Sequence, residues 1–329
     1  MINFLSNAIL VKIRARYAKR LSQSDYKSLL SCESVSDIAH VLKNKPFYSG
    51  SISKMMNEEI HRGKLEEALT QSFLEDLSCL ANYDLKFSKK IFRYILIRSE
   101  IKKISRFLIF LKSGKSKNFE SFFPEFLRSK SKIDFSKFVK INTYDELVSV
   151  LGKSKYHKIL KACNDNGQFD INVVETSLYN YLFDIIISSI YGFEKKVINQ
   201  TKNFLFKYVD LCNIVRIIRT KKIFNAPDDY ISKIVFQFKD YRFNKYDLCD
   251  KNLSDIFGKE IVNISDLEKF SKMIRFKWAK RSIRYSNIPE VIAFSYILLR
   301  EIEIMNVINI IEGVRYNLQR EKIEGMLIK

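Results

Sequence analysis

Two residue pairs set an acid and an amide three positions apart, Asp210 with Asn213 and Glu303 with Asn306. At that spacing each pair shares one face of a helix. Either pair admits an acid/base reading. The structural reading is the stronger, because both lie inside apolar helices. There a buried carboxylate and amide must find partners, and the ends of neighbouring helices supply them while fixing their register. Glu100 stands in the corresponding place earlier in the chain, with Lys103 where the amide would be.

Other chemistries find less support. Gly114-Lys115-Ser116 and Gly152-Lys153-Ser154 resemble the end of a phosphate-binding loop. Such a loop needs a glycine five residues earlier, and Ile109 and Leu147 stand there. Neither segment follows a strand-like run, so both read as turns. His40, His61 and His157 are scattered, and no His, Cys and acid cluster has metal-ligand spacing. The five cysteines are widely separated, odd in number and without CxxC spacing, which fits a reducing compartment. The sequence therefore predicts no catalytic residues, no metal and no cofactor.

Stepping from these residues to the segments that hold them, helices account for nearly everything. Gly and Pro are scarce, 9 and 4 among 329 residues, which disfavours a turn-rich β protein. Helices are expected over 2–21, 51–85, 86–112, 173–192, 193–223, 265–284 and 289–312. Pro289 opens the last of these, and Gly313 is expected to close it as a left-handed C′ residue. Ser34 with Asp37, Thr143 with Glu146, and Ser265 with Glu268 have capping-box spacing. Ser34 and Thr143 are 109 residues apart, as are Ile38 and Leu147, and Leu42 and Leu151; Tyr48 and Tyr156 differ by 108. With the recurrence of Glu100, Asp210 and Glu303, this predicts three related all-helical units, 1–114, 115–224 and a shortened 225–329. The stretch 225–262 does not align residue by residue.

The formal net charge is +20, spread along the chain without a basic tail. It implies an anionic partner or simply a solvated Lys-rich surface. Lys272, Arg275, Lys277, Lys280, Arg281 and Arg284 fall within thirteen residues without an acid. Lys277, Lys280, Arg281 and Arg284 line one helix face and form a candidate partner-contact surface, with Met273, Ile274 and Trp278 on another. No run reaches the ~18 apolar residues of a membrane span, and the N-terminus lacks signal-peptide features.

At this point the sequence resembles a known family. Pro289, Tyr296, Glu301, Glu303, Asn306, Ile310, Gly313 and Arg320-Glu321-Lys322-Ile323 are similar to the end of the V-type and archaeal-type ATPase central-stalk subunit, called C in prokaryotes and d in eukaryotes. Arg14-Ala15-Arg16, Leu21-Ser22, Asp25-Tyr26, Leu29-Leu30 and Val35 through Tyr48 agree at the other end. Asp210, Asn213, Arg219 and Lys221 resemble the second-unit signature. The resemblance implies three helical domains in a pseudo-threefold funnel, without catalytic activity. Such a funnel sits, one copy per complex, on the cytoplasmic mouth of the membrane proteolipid rotor ring and receives the central shaft of the ATP-hydrolysing head. It would be peripheral to the membrane, serve proton or sodium transport or ATP synthesis, and bind no nucleic acid. The competing reading is a basic helical nucleic-acid-binding protein, which would show steeply salt-dependent affinity; no recognised binding module supports it.

Overall fold

Helix starts are set by local polar chemistry. The Ser22 side chain accepts the Asp25 amide at 3.2 Å, and Asp25 accepts the Ser22 amide at 2.8 Å. Ser34 and Asp37 close the same reciprocal box at 3.1 and 3.0 Å. Each box satisfies two amides that a helix start leaves without partners. Thr143 accepts the Glu146 amide at 3.3 Å, but Glu146 takes the Asn142 amide, at 2.8 Å, rather than closing on Thr143. The third expected box falls inside its helix, which begins at Ile264, and the Ser265 side chain lies outside the described residues.

The computed structural model describes residues 3–54, 60–81, 85–116, 119, 123, 125–243 and 264–329. Residues 244–262 of the unaligned stretch 225–262, with Cys249, therefore lie outside the described residues. Among those described the protein is all-α, with isolated bridges such as Phe238 to Tyr241 but no strand. Its chain divides into two compact units, Met1–Lys89 with Ile261–Lys329, and Lys90–Glu260.

The first unit joins the two ends of the chain. It holds α1 (Asn3–Tyr17), α2 (Gln23–Leu30), α3 (Val35–Lys43), α4 (Ser49–Ser53) and α5 (Arg62–Ala81), then α13 (Ile264–Tyr285), α14 (Pro289–Arg315) and α15 (Arg320–Met326). α14 is its axis, with α13 packed along it and α1, α3, α5 and α15 around it. The core joins Leu29, Ile38, Leu42, Leu65 and Leu69 to Val307, Ile310 and Ile311. Arg14 in α1 donates to the Ile283 and Ser286 carbonyls at 3.0 and 2.8 Å. A cation there satisfies the open carbonyls at the C-terminal end of α13 and opposes its dipole.

The second unit holds α6 (Leu85–Lys112) from Lys90 on, α7 (Glu125–Arg128), a 3₁₀ turn at Phe135–Lys140, α8 (Tyr144–Val150), α9 (Tyr156–Ala162), α10 (Ile171–Ile190), α11 (Lys195–Phe224) and α12 (Asp228–Ile234). Val174, Leu178, Leu182, Ile186 and Ile187 bury one face of α10. Rings fill the gaps between helices, with Phe183 against Phe236 and Phe238, and Phe107 against Phe119 and Phe138. Gly114 and Gly152 both lie in turns, as their sequence context requires.

Gly313 does not close its helix. α14 runs on to Arg315, and the left-handed residue is Asn317, at φ 51°. The Leu318 amide reaches the Gly313 carbonyl at 2.9 Å and the Asn317 amide reaches that of Val314 at 3.0 Å, a Schellman closure with asparagine in glycine's usual place. Gly313 is small for another reason. A Cβ there would stand 2.5 Å from Cγ1 of Ile323, so α15 seats that buried side chain directly on the α14 backbone. Gly313→Ala therefore sets about 1 kcal/mol of helix propensity against about 1–3 kcal/mol of overpacking. We expect it to lower stability in the native protein and raise it in an Ile323→Ala background. Denaturant unfolding of the four proteins checks that change of sign.

Candidate functional site

α14 carries its polar residues inward because it is enclosed on several sides. Glu303 is 6% exposed and Arg300 2%. The Glu303 carboxylate accepts the Tyr48 hydroxyl at 2.7 Å, the Leu21 amide at 3.0 Å and the Arg300 guanidinium. Arg300 also lies 3.4 Å from Asp76 of α5. Asp76 in turn accepts Nε of Arg16 and the Tyr296 hydroxyl, each at 2.5 Å. Two arginines thus balance two carboxylates inside the unit, while the Arg300 guanidinium lies 4.1 Å from the centroid of the Phe47 ring. Burial acts to lower the Arg300 pKa, but the charges of Tyr48, Glu303, Tyr296 and Asp76 outweigh it and raise it. Burial and then Glu303 push the Tyr48 hydroxyl far above its ordinary range. Arg300 and Tyr48 are thereby each held in one charge state near neutrality, which suits a brace better than a proton carrier.

The second unit repeats the arrangement with fewer charges. Glu100 of α6 accepts the Tyr156 and Ser131 hydroxyls, both at 2.6 Å. Burial raises its pKa above the usual carboxylate value, against the lowering effect of those two hydrogen bonds. Asp210 of α11 accepts the Tyr241 hydroxyl at 2.6 Å. In each case an acid on a long helix receives a tyrosine from a distant segment.

The amides have a separate task. Asn213 accepts the Phe236 amide at 2.8 Å and donates to its carbonyl at 3.2 Å. Asn306 holds Ile328 in the same way, at 2.9 and 2.8 Å. Phe236 and Ile328 each stand two residues beyond a short helix, α12 or α15. Asparagine suits this place because one side chain presents both a donor and an acceptor to a peptide unit. Lysine carries donors only, so Lys103 cannot hold a peptide unit in this way; its ammonium lies 4.6 Å from the Phe119 ring centroid. Arg219 is exposed further along α11, and Arg216 is drawn inward instead, donating to Thr176 at 2.7 Å.

The basic face of α13 divides. Lys277, Arg281 and Arg284 are exposed, whereas Lys280 is half-buried with its ammonium 5.4 Å from the Phe276 ring centroid. Trp278 and Tyr285 are 37% and 75% exposed and stand beside Arg281 by helical spacing. The outward face is therefore mixed, cationic and aromatic. Sequence reasoning set Trp278 apart and passed over Tyr285. It also passed over Asp76 and Tyr241, and named Arg16 only within the family resemblance; the available signal for Asp76 was an acid among the apolar positions Leu69, Phe73, Leu77 and Leu80.

The three histidines do not converge; His157 meets the Val148 carbonyl at 2.9 Å and His61 accepts the Lys64 amide. No group of three or more His, Cys, Asp or Glu among the described residues has metal-binding geometry. No described helix is long and apolar enough to cross a membrane.

Fold and clasps together define an all-helical framework protein, tied across long sequence distances by buried acid–tyrosine contacts. Residues 9–326 match the family model described as ATP synthase (C/AC39) subunit, and the chain belongs to that family, a subunit of the V/A-type ATPases. A search of curated proteins finds no match.

The clasps differ in what their loss does. Glu303→Gln leaves the buried Arg300 undercompensated and is expected to cost about 3 kcal/mol. Glu100→Gln has the opposite sign. A folded pKa raised above the unfolded value means that ionised Glu100 weakens the fold at neutral pH. Native stability then gains from this group as pH falls through its raised folded pKa toward the unfolded value of about 4.3. Glu100→Gln should remove that slope and leave stability at pH 7 equal or higher. Urea unfolding between pH 4.5 and 8 (both variants beside the native protein) reads both effects.

Proposed function

We propose that this protein is the non-catalytic central-stalk subunit of a rotary V/A-type ATPase. One copy per complex acts as a socket, coupling the shaft of the ATP-hydrolysing head to the membrane proteolipid rotor ring. It serves proton or sodium transport from the cytoplasmic face, peripheral to the membrane. Family membership supports a place in the complex. The observation that carries the socket reading is the pairing order of the three clasps.

Taken by the repeats 1–114, 115–224 and 225–329, the order is cyclic. Glu100 of the first repeat meets Tyr156 of the second, and Asp210 of the second meets Tyr241 of the third. Glu303 of the third returns to Tyr48 of the first. This order of like contacts, two within the second unit and one within the first, supports the reading of a pseudo-threefold, funnel-like body of three helical domains. Glu100, Asp210, Asn213, Glu303 and Asn306 then serve as fixtures of that body, and partner contact falls to its surface. A torque adaptor must resist shear between two interfaces, and buried clasps between distant segments resist it better than exposed ion pairs do. The exposed cations of α13, Lys277, Arg281 and Arg284, form a contact face for an acidic surface of ring or shaft.

Affinity purification of the tagged protein is expected to bring down head subunits and a small proteolipid together; their absence overturns the socket reading. Lys277→Glu, Arg281→Glu and Arg284→Glu combined should leave the unfolding midpoint nearly unchanged, since these side chains are exposed. The same variant should reduce ATP-driven ion transport more than ATP hydrolysis. Normal assembly and transport would remove the face assignment and leave the socket reading standing.

A further inference from the structure

The first unit contains a cavity of about 310 Å³ between α1, the start of α2, α13 and α14. That volume lies at the lower end of the range of small-molecule sites. Its walls are of two kinds. Leu299, Ile302 and Phe276 supply apolar lining, and Arg20, Lys280, Arg300 and Lys329 supply four cations, of which Lys329 pairs with Glu324. Glu303 is the acid of the lining, and Arg300, Tyr48 and the Leu21 amide already engage its oxygens. Arg20 and Lys280 have no acidic partner among the described residues; Arg20 stacks 4.3 Å from the Tyr17 ring centroid and donates to the Tyr17 carbonyl at 3.2 Å.

Two buried donors of the lining also lack acceptors among the described residues. Tyr17 is 9% exposed and its hydroxyl has no hydrogen-bond partner among them; the same holds for Nη2 of Arg300, at 2% exposure. A buried donor without an acceptor is costly, and a cavity holding two of them beside two unpaired cations is short of negative charge and lone pairs. We propose that this cavity binds a small amphiphilic anion. A carboxylate or phosphate head takes hydrogen bonds from Tyr17 and charge from Arg20 and Lys280, while an alkyl or ring body lies on Leu299 and Ile302. This goes beyond the socket role and does not depend on it.

Titration calorimetry on the full chain tests it with three probes, octyl phosphate, octanoate and inorganic phosphate. The octyl compounds are expected to bind saturably, and octyl phosphate more tightly than inorganic phosphate. Equal affinity for the two phosphates overturns the apolar half of the site, and no saturable binding by any probe overturns the whole. Arg20→Gln and Lys280→Gln should each weaken octyl phosphate by about tenfold, the usual loss of one charge-assisted contact. Unchanged affinity in both overturns the assignment. Tyr17→Phe separates binding from folding. Without ligand it should raise the unfolding midpoint, because it deletes an unpaired buried hydroxyl, and with ligand it should bind more weakly. A lowered midpoint in the unliganded protein shows that the hydroxyl already has a resident partner, and the proposal fails.

Discussion

The carboxylate of Glu303 is the group on which the first unit depends. It takes an amide from the link after α1, a hydroxyl from the turn before α4, and a guanidinium from its own helix. Two segments that are remote in sequence are held to one helix by two oxygens. The hydrophobic contacts around α14 supply most of the driving force for that assembly. They are non-directional and tolerate sliding; the carboxylate does not, because a shift would take it from the buried Tyr48 hydroxyl and the Leu21 amide. The ionic core is therefore better understood as setting register than as adding net stability, since desolvating four charges consumes much of what their attraction returns.

The second unit uses the same device with different electrostatics. Glu100 receives two neutral hydroxyls, and burial leaves its pKa raised. Glu303 has Arg300 beside it and, through Asp76, Arg16 as well. One geometry, an acid receiving a distant tyrosine, is thus supported either by polar satisfaction alone or by a neutralised ionic cluster. The asparagine clamps at Phe236 and Ile328 show the same economy, for a single side chain replaces the missing strand partner of one peptide unit. Such contacts explain how a fold without strands among its described residues holds its irregular links in place.

Much of this was legible beforehand. The all-helical class followed from scarce Gly and Pro and from helical periodicity, and the ends of α10, α11 and α13 fall within a few residues of their expected places. The capping box at Ser34 and the N-cap at Thr143 were readable because they depend on residues three apart; the return contact expected of Glu146 went to Asn142 instead. What failed was of another kind. Gly313 was read by its local habit as a helix terminator, while its real constraint comes from Ile323 across the fold. Trp278 was set on a separate face from the cations, although its three-residue spacing puts it beside Arg281; what appeared only with the packing of α13 on α14 is that Trp278 and Tyr285 are exposed. Tyr241 could not be placed because the stretch around it has lost the spacing of the earlier repeats.

The sequence by itself determined which residues need partners. An acid and an amide inside an apolar helix announce a buried polar requirement, and their recurrence at 210–213 and 303–306 marks it as deliberate. It also determined where helices begin, because caps act over three residues. Only the tertiary structure decided who the partners are. Tyr48 answers Glu303 across 255 residues, and no local pattern carries that information. The choice is made when the chain packs, by which hydroxyl or amide arrives beside a carboxylate that has already lost its water. Local chemistry fixes the demand and long-range packing selects the supply, and the identity of each clasp lies in the second.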